Sequence, residues 1–414
     1  MENRYLEKTD IILMRILACG LSQDNAEVEY SFADSPDMDY DRLIDRAKHH
    51  KVEAIVADVI LGKPEMFNDM SDNQRSILEN CVSNALFNGS RLIYYTREYL
   101  FWLKKENVRA AVLKGWSVAG YYRVPEIRKS GDIDIIVKEE DYSRAVEVFT
   151  EKGFIPIEEQ HSNHHLELKG PDGVVVELHN TLAEHFDSDR VNECVRKYGQ
   201  QLVTNTEEYE YNGYIIPRGT PEYNALSLIV HMLQHYLRAG FGVKLLCDWT
   251  VFINNGIDEK QYLRFADMAA DLGIYGFVDM INHVCQQFLG LNADKIPLIF
   301  NNSNIYDNSW DEESLEEFLA DIMESGEFGH EDNNRMVAVN GTGLWAYIKE
   351  FHHQMRINNP DSSRFVIIWP FLWLKTLVVF LKNNRKVRKT STMNIIKNAG
   401  RRGKIIKSMN LFKR

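Results

Sequence analysis

Two aspartates one residue apart, Asp132 and Asp134, open a run of β-branched residues (Ile133, Ile135, Ile136, Val137), which places the pair at the mouth of a strand. Side chains two apart on a strand leave the same face, so both carboxylates aim the same way. Carboxylates that close repel one another unless a cation sits between them. A hard divalent ion is held by one or two such groups, with substrate phosphates completing its shell. The pair is therefore a candidate site for Mg²⁺ or Mn²⁺. Upstream, Arg109–Leu113 has the content of a short buried strand, and Lys114-Gly115-Trp116-Ser117 breaks from it into a helix expected over Ser117–Tyr122. A glycine at a strand-to-helix turn lets backbone N–H groups approach phosphate oxygens, and the helix N-terminus favours negative charge there. Lys114 adds a cation to that turn and Ser117 a hydroxyl. Arg128, four residues before Asp132, has the fork geometry of a triphosphate clamp, weighed against a solvated surface arginine.

A third acid is expected from a hairpin. Lys169-Gly170-Pro171-Asp172-Gly173 is a turn signal, and the runs His164–Lys169 and Val174–His179 on either side of it would pair. Val175, Glu177 and His179 share one face of the second run. Glu177 can therefore join Asp132 and Asp134 if the two strands are neighbours.

With a Lys-Gly turn, a tyrosine-bearing helix, an arginine, Gly131-Asp132-Ile133-Asp134 and a later Glu177-Leu178-His179, the chain resembles a group of uncharacterised bacterial nucleotidyltransferases within the polymerase-β-like superfamily. The resemblance implies that Glu177 completes a carboxylate triad. It also implies a metal-dependent enzyme that moves a nucleoside monophosphate from a nucleoside triphosphate to an acceptor and releases pyrophosphate. Catalytic and metal roles then fall to Asp132, Asp134 and Glu177, and nucleotide contacts to Lys114, Gly115, Ser117 and Arg128. His179, His231 and Asp248 are expected to touch substrate or to orient those groups. Two readings compete. A glycosyltransferase also uses Asp-x-Asp to hold a metal on a nucleotide sugar, but there the apolar strand precedes the pair, whereas here Arg128-Lys129-Ser130-Gly131 precedes it. A non-catalytic binding protein that keeps the fold is the other, and retention of all three acids argues against it.

The elements that must position these residues suggest an α+β fold, a small mixed sheet flanked by N- and C-terminal helical regions. At 414 residues, 44% apolar and 26% charged, the chain can bury more than one core. The expected divisions are residues 1–82 (helical), 83–219 (nucleotidyltransferase core), 220–360 (helical), and 361–414 (an apolar helix and a basic tail). Asp10 is expected to cap the first helix, and Leu92, Tyr95, Tyr99 and Trp102 to face the sheet from a helix over about Ser83–Lys105. Beyond Pro221, Leu226, Ile229, Val230, Leu233 and Leu237 form an apolar stripe, with His231 and His235 at i, i+4 on the other side. The sequence His231-Met232-Leu233-Gln234-His235 lacks the glutamate of a zinc protease, so those histidines read as a polar face or a substrate contact. Asp248 lies at the edge of the next apolar stripe and needs a partner.

The net charge of −12 is unevenly placed. Lys382–Arg414 carries 12 Lys and Arg and no Asp or Glu, which leaves the rest of the chain at −24. An acidic body disfavours nucleic acid as a partner, and a weak contact with an anionic surface is confined to the tail. The acceptor is left open among a protein, a sugar phosphate and a small molecule. Five widely spaced cysteines without a C-x-x-C pair point to a reducing cytoplasm. The start of the chain shows no secretory signal, and the apolar run Phe365–Leu381, interrupted by Pro370 and Lys375, is too short for a membrane span.

Overall fold

The computed structural model describes residues 5–22, 38–157, 165–297 (apart from 185, 187 and 239), 300–301, 304–305, 310–326, 352, 355–356, 368–386 and 403–412. His164 and residues 387–402 of the basic tail lie outside them. Three helices come first, α1 (Lys8–Leu21), α2 (Tyr40–His49) and α3 (Glu53–Gly62). Asp10 does not cap α1: Glu7 is the N-cap, and Asp10 at its third position closes a capping box and takes a bidentate ion pair from Arg46. The next helix, α4 (Asp72–Lys105), runs 34 residues, starting well before Ser83 because Ser71 and Gln74 form a capping box.

The sheet then builds from β1 (Ala110–Val112), a short α5 (Gly115–Ala119), β2 (Asp132–Val137), α6 (Tyr142–Glu151), β3 (Ile155–Pro156), β4 (His165–Lys169) and β5 (Val175–His179). After α7 (Asp189–Thr204), β6 (Thr206–Tyr211) and β7 (Tyr214–Gly219) return to it as a hairpin. Strand order is β3-β4-β5-β2-β1-β7-β6. Two neighbouring pairs are parallel, β2 with β5 and β1 with β7; the others are antiparallel. The β6–β7 hairpin is absent from the expectations above, although its signal was present: Asn212 and Gly213 both have positive φ (50° and 78°), the two-residue turn that matches strand twist.

Helices cover both faces of the sheet. Ile133, Ile135 and Val137 of β2 join Leu92, Tyr99 and Leu103 of α4 and Phe149 of α6 in one core, so α4 packs on the sheet as expected. Ile136 faces the other way, into a core shared with Val195, Tyr198 and Leu202 of α7. The alternation along β2 therefore sends Asp132 and Asp134 to the α7 side. That side continues into α8 (Pro221–Arg238), α9 (Val243–Gly256), α10 (Glu259–Leu272), α11 (Tyr275–Leu289) and α12 (Glu312–Ser325), the last capped by Asp311. The final described long helix is α13 (Trp369–Lys386), and no helix among the described residues is long and apolar enough to cross a membrane. The five cysteines are thiols.

One contact fixes α4 against the turn that leads to β2. A Cβ on Gly89, mid-helix, would lie 2.6 Å from the backbone oxygen of Glu126 and 2.7 Å from its Cα. Alanine should gain helix propensity there by about 1 kcal/mol, but the clash with backbone costs about 1–3 kcal/mol. Gly89→Ala should therefore lower the melting temperature; a rise would show that α4 does not approach residue 126 this closely.

Candidate active site

Parallel pairing of β2 with β5 puts Asp134 opposite Glu177, Asp132 opposite Val175 and Ile136 opposite His179. Glu177 and His179 share the face that Asp132 and Asp134 occupy, at the end of the sheet where β1 runs out into Lys114. The backbone N–H of Leu113 donates to the Asp134 carbonyl at 3.0 Å, tying that exit to β2.

Lys114 turns its side chain into the acids. Its Nζ lies 2.6 Å from Asp134 Oδ1 and 3.6 Å from Glu177 Oε2. His179 Nε2 lies 3.1 Å and 3.3 Å from the same two oxygens. Asp134, Glu177 and His179 offer ligand atoms all within 4.8 Å of one another. Aiming Lys114 this way strains the backbone. Its φ of 44° with ψ of −145° is a region that side chains with a Cβ seldom adopt, at a cost of about 1–3 kcal/mol. Gly115 follows at φ 36°, and a Cβ built on it would have Ser130 Oγ, 3.9 Å away, as its nearest neighbour. The turn therefore leaves an open cradle over the glycine.

Charge is divided unequally among the acids. Burial raises the Asp132 carboxyl, and Asp134 and Glu177 add to it, so that it is pushed up to about 7 in spite of Lys114 and Lys244. Burial works the same way on Glu177, but there the Lys114 ammonium and the His179 hydrogen bond prevail and hold it well below the usual carboxylate range. On His179, burial favours the neutral ring, and hydrogen bonds to Asp134 and Glu177 outweigh it to raise the pKa. The cluster thus balances three acids against one ammonium and one imidazole. An acid left basic beside two others is the signature of a site short of positive charge, and an oxygen-rich donor set of this kind fits a hard divalent ion.

Two of the expected phosphate contacts sit elsewhere. Ser117 is fully buried, and its Oγ donates to Asn224 Oδ1 at 3.0 Å, while Asn224 Nδ2 and Arg218 Nη1 each donate to the Ser117 carbonyl at 3.2 Å. Its hydroxyl locks α5 to α8 instead of facing the cradle. Arg128 is neither surface nor open to a phosphate. Its Nε and Nη2 each donate to a carboxylate oxygen of Asp248 at 2.7 Å, and Nη1 donates to Ser130 Oγ. Asp248, 1% exposed, also accepts from the Tyr122 hydroxyl at 2.7 Å. The partner that Asp248 needs is therefore Arg128, and the pair joins α9 to the turn ahead of Asp132.

His231 and His235, read from the sequence as a polar face exposed or lining a groove, lie together on one side of α8. Half-buried on α8, their rings meet edge to face with centroids 4.4 Å apart, and both feel the charges of Lys114 and Glu177. Burial first and then Lys114 keep His231 well below its ordinary value and bring His235 down to about 4, so both rings are neutral at pH 7. Lys244, at the start of α9, acts on both Asp132 and His235. Sequence reasoning passed over it, because a lysine in an apolar helix start carries no spacing signal.

Residues 36–290 match the model of a protein family described as an uncharacterised nucleotidyltransferase. No curated protein matches the chain. Among solved structures it is similar to the antibiotic-resistance factor ANT(2'')-Ia, at 12% identity over 47% of this chain and 98% of that one, with a TM-score of 0.32. A second similar structure is an antigenic nucleotidyltransferase-like protein from Paracoccidioides brasiliensis, at 17% identity over 51% and 94% of the two chains, with a TM-score of 0.30.

Two measurements check this geometry. Removing one member of a buried ion pair strands the other, so Asp248→Ala should cost about 3–5 kcal/mol in denaturant unfolding, and Arg128→Leu/Asp248→Ala should recover part of it. A double-variant loss equal to the sum of the losses in Arg128→Leu and Asp248→Ala alone would mean that the two residues are not paired. Asp132 sets a pH dependence. Its folded pKa of about 7 exceeds the unfolded value of 3.8, so the folded state holds this proton more tightly, and stability falls as pH rises from 4 to 7. In metal-free protein, Asp132→Asn should stabilise by on the order of 1–2 kcal/mol above pH 7 and by little below pH 4. A destabilised variant at pH 8 would contradict the crowding of acids described here.

Proposed function

The chain belongs to the uncharacterised nucleotidyltransferase family, and from that premise we propose that it transfers a nucleoside monophosphate from a nucleoside triphosphate to an acceptor hydroxyl at the Asp132–Asp134–Glu177 cluster. The observation that carries this reading is the convergence of Lys114, Asp134, Glu177 and His179 beside the open cradle of Gly115. Asp132, Asp134 and Glu177 are the residues that would hold Mg²⁺ or Mn²⁺. Such an ion, when bound, neutralises phosphate charge and makes the acceptor oxygen a better nucleophile.

The chain's own groups do the positioning. The open space over Gly115 leaves room for phosphate oxygens to approach the backbone of this turn, and Lys114 beside it supplies a cation. His179 orients the Asp134 and Glu177 carboxylates. The acceptor oxygen attacks the α-phosphorus in line, the bond from that phosphorus to the bridging oxygen breaks, and pyrophosphate leaves. A carboxylate oxygen of the cluster takes the acceptor's proton. Ser117 and Arg128 act at one remove, Ser117 by fixing α5 and Arg128 by bracing Ser130 and Gly131 ahead of Asp132. Glycosyl transfer from a nucleotide sugar has no comparable support from the family.

The test incubates the protein with each α-labelled nucleoside triphosphate, Mg²⁺ or Mn²⁺ and cell extract, beside Asp132→Asn/Asp134→Asn. Wild type should pass label to a discrete acceptor, and the double variant should lose at least roughly 10³-fold of that rate while staying folded. Label transfer that survives in the double variant would refute the assignment.

A further inference from the structure

Lys114 is held in a way that gripping phosphate does not require. The cradle over Gly115 is open, yet the ammonium is engaged by the acids, with 16% of its side chain exposed. It lies 2.6 Å from Asp134 Oδ1 and 3.6 Å from Glu177 Oε2, and the chain adopts a strained backbone at Lys114 (φ 44°, ψ −145°) with this side chain in place. Strain that persists at a site is sustained by the surrounding contacts, and the contacts here are the two carboxylates.

Those same oxygens are ligands in the reading given above, on which this inference rests. Mg²⁺ binds oxygen at about 2.0–2.1 Å in near-octahedral geometry, and like any divalent ion it is repelled by an adjacent ammonium. Lys114 and the metal therefore compete for Asp134 and Glu177. We propose that Lys114 is the resident counter-ion of these acids in metal-free protein, that it holds divalent affinity down, and that it yields the carboxylates to the metal when nucleotide phosphate arrives to receive its ammonium. The move is short, since the cradle adjoins Lys114 in the chain. Metal and nucleoside triphosphate then bind with positive coupling, each favouring the state in which the ammonium has left the acids. His179 cannot substitute, because it is fixed in β5 opposite Ile136 and keeps its place on both carboxylates.

The experiment titrates Mn²⁺ alone into the full chain, followed by electron paramagnetic resonance and by calorimetry, for wild type, Lys114→Met, Lys114→Gln and Asp134→Asn. Melting curves confirm folding, and the glutamine variant keeps a neutral side chain of similar reach if methionine proves disruptive. Removing the ammonium should tighten Mn²⁺ binding by roughly tenfold or more in both lysine variants, and Asp134→Asn should weaken it. Unchanged or weaker Mn²⁺ binding in folded Lys114 variants would overturn the competition while leaving the metal site intact. Absence of Mn²⁺ binding in wild type and lysine variants alike would instead overturn the metal reading itself.

Discussion

Repulsion among Asp132, Asp134 and Glu177 is the constraint that the rest of the molecule has to satisfy. Parallel pairing of β2 with β5 brings Asp134 opposite Glu177, and no local adjustment of either strand relieves it. A one-residue slip would do so only by sending the apolar residues of β5, Val176 and Leu178, out of the core shared with α4 and α6. The hydrophobic pattern thus holds like charges together, and the positive groups around them offset the cost. Lys114 enters from the β1 exit at the expense of backbone strain, and His179 comes from the same strand as Glu177. The balance still falls short at Asp132, whose carboxyl is pushed up to about 7 by burial and then by its two acidic neighbours.

A second consequence concerns how the helical part docks on the sheet. Its junction with the sheet domain is made by buried polar groups: Arg128 and Tyr122 on Asp248, and Asn224 and Arg218 on Ser117. Buried charges tolerate little misplacement, because an unpaired partner is far more costly than a loose apolar contact. This junction specifies one orientation of α8 and α9. That orientation is also what turns His231, His235 and Lys244 toward the acids, so the same pairs that lock the helices define the wall facing the site. Neutral imidazoles on that wall can donate or accept hydrogen bonds without adding charge to a site already governed by it.

Much of this was legible in the chain because it is local. Period-two alternation placed Asp132 and Asp134 on one face and Glu177 with His179 on another strand's face, and the Gly170–Gly173 turn marked their hairpin. The turn at Lys114-Gly115 was readable from composition. The Asn212-Gly213 hairpin was equally local and was simply passed over. Arg128 and Ser117 went astray for a different reason: a guanidinium before an acidic pair or a hydroxyl after a glycine looks the same whether it faces a phosphate or a buried Asp248 or Asn224. Residues 120 and 107 positions away decided the matter.

By itself, then, the sequence determined which residues could carry the chemistry and which faces of β2 and β5 they occupy, since those follow from spacing along a single element. Only the tertiary structure decided that β2 and β5 are parallel neighbours, that Lys114 turns into the acids, and that Arg128 is consumed by Asp248. Each depends on contacts between segments far apart in the chain, where burial and charge pairing choose the partner and spacing has no say.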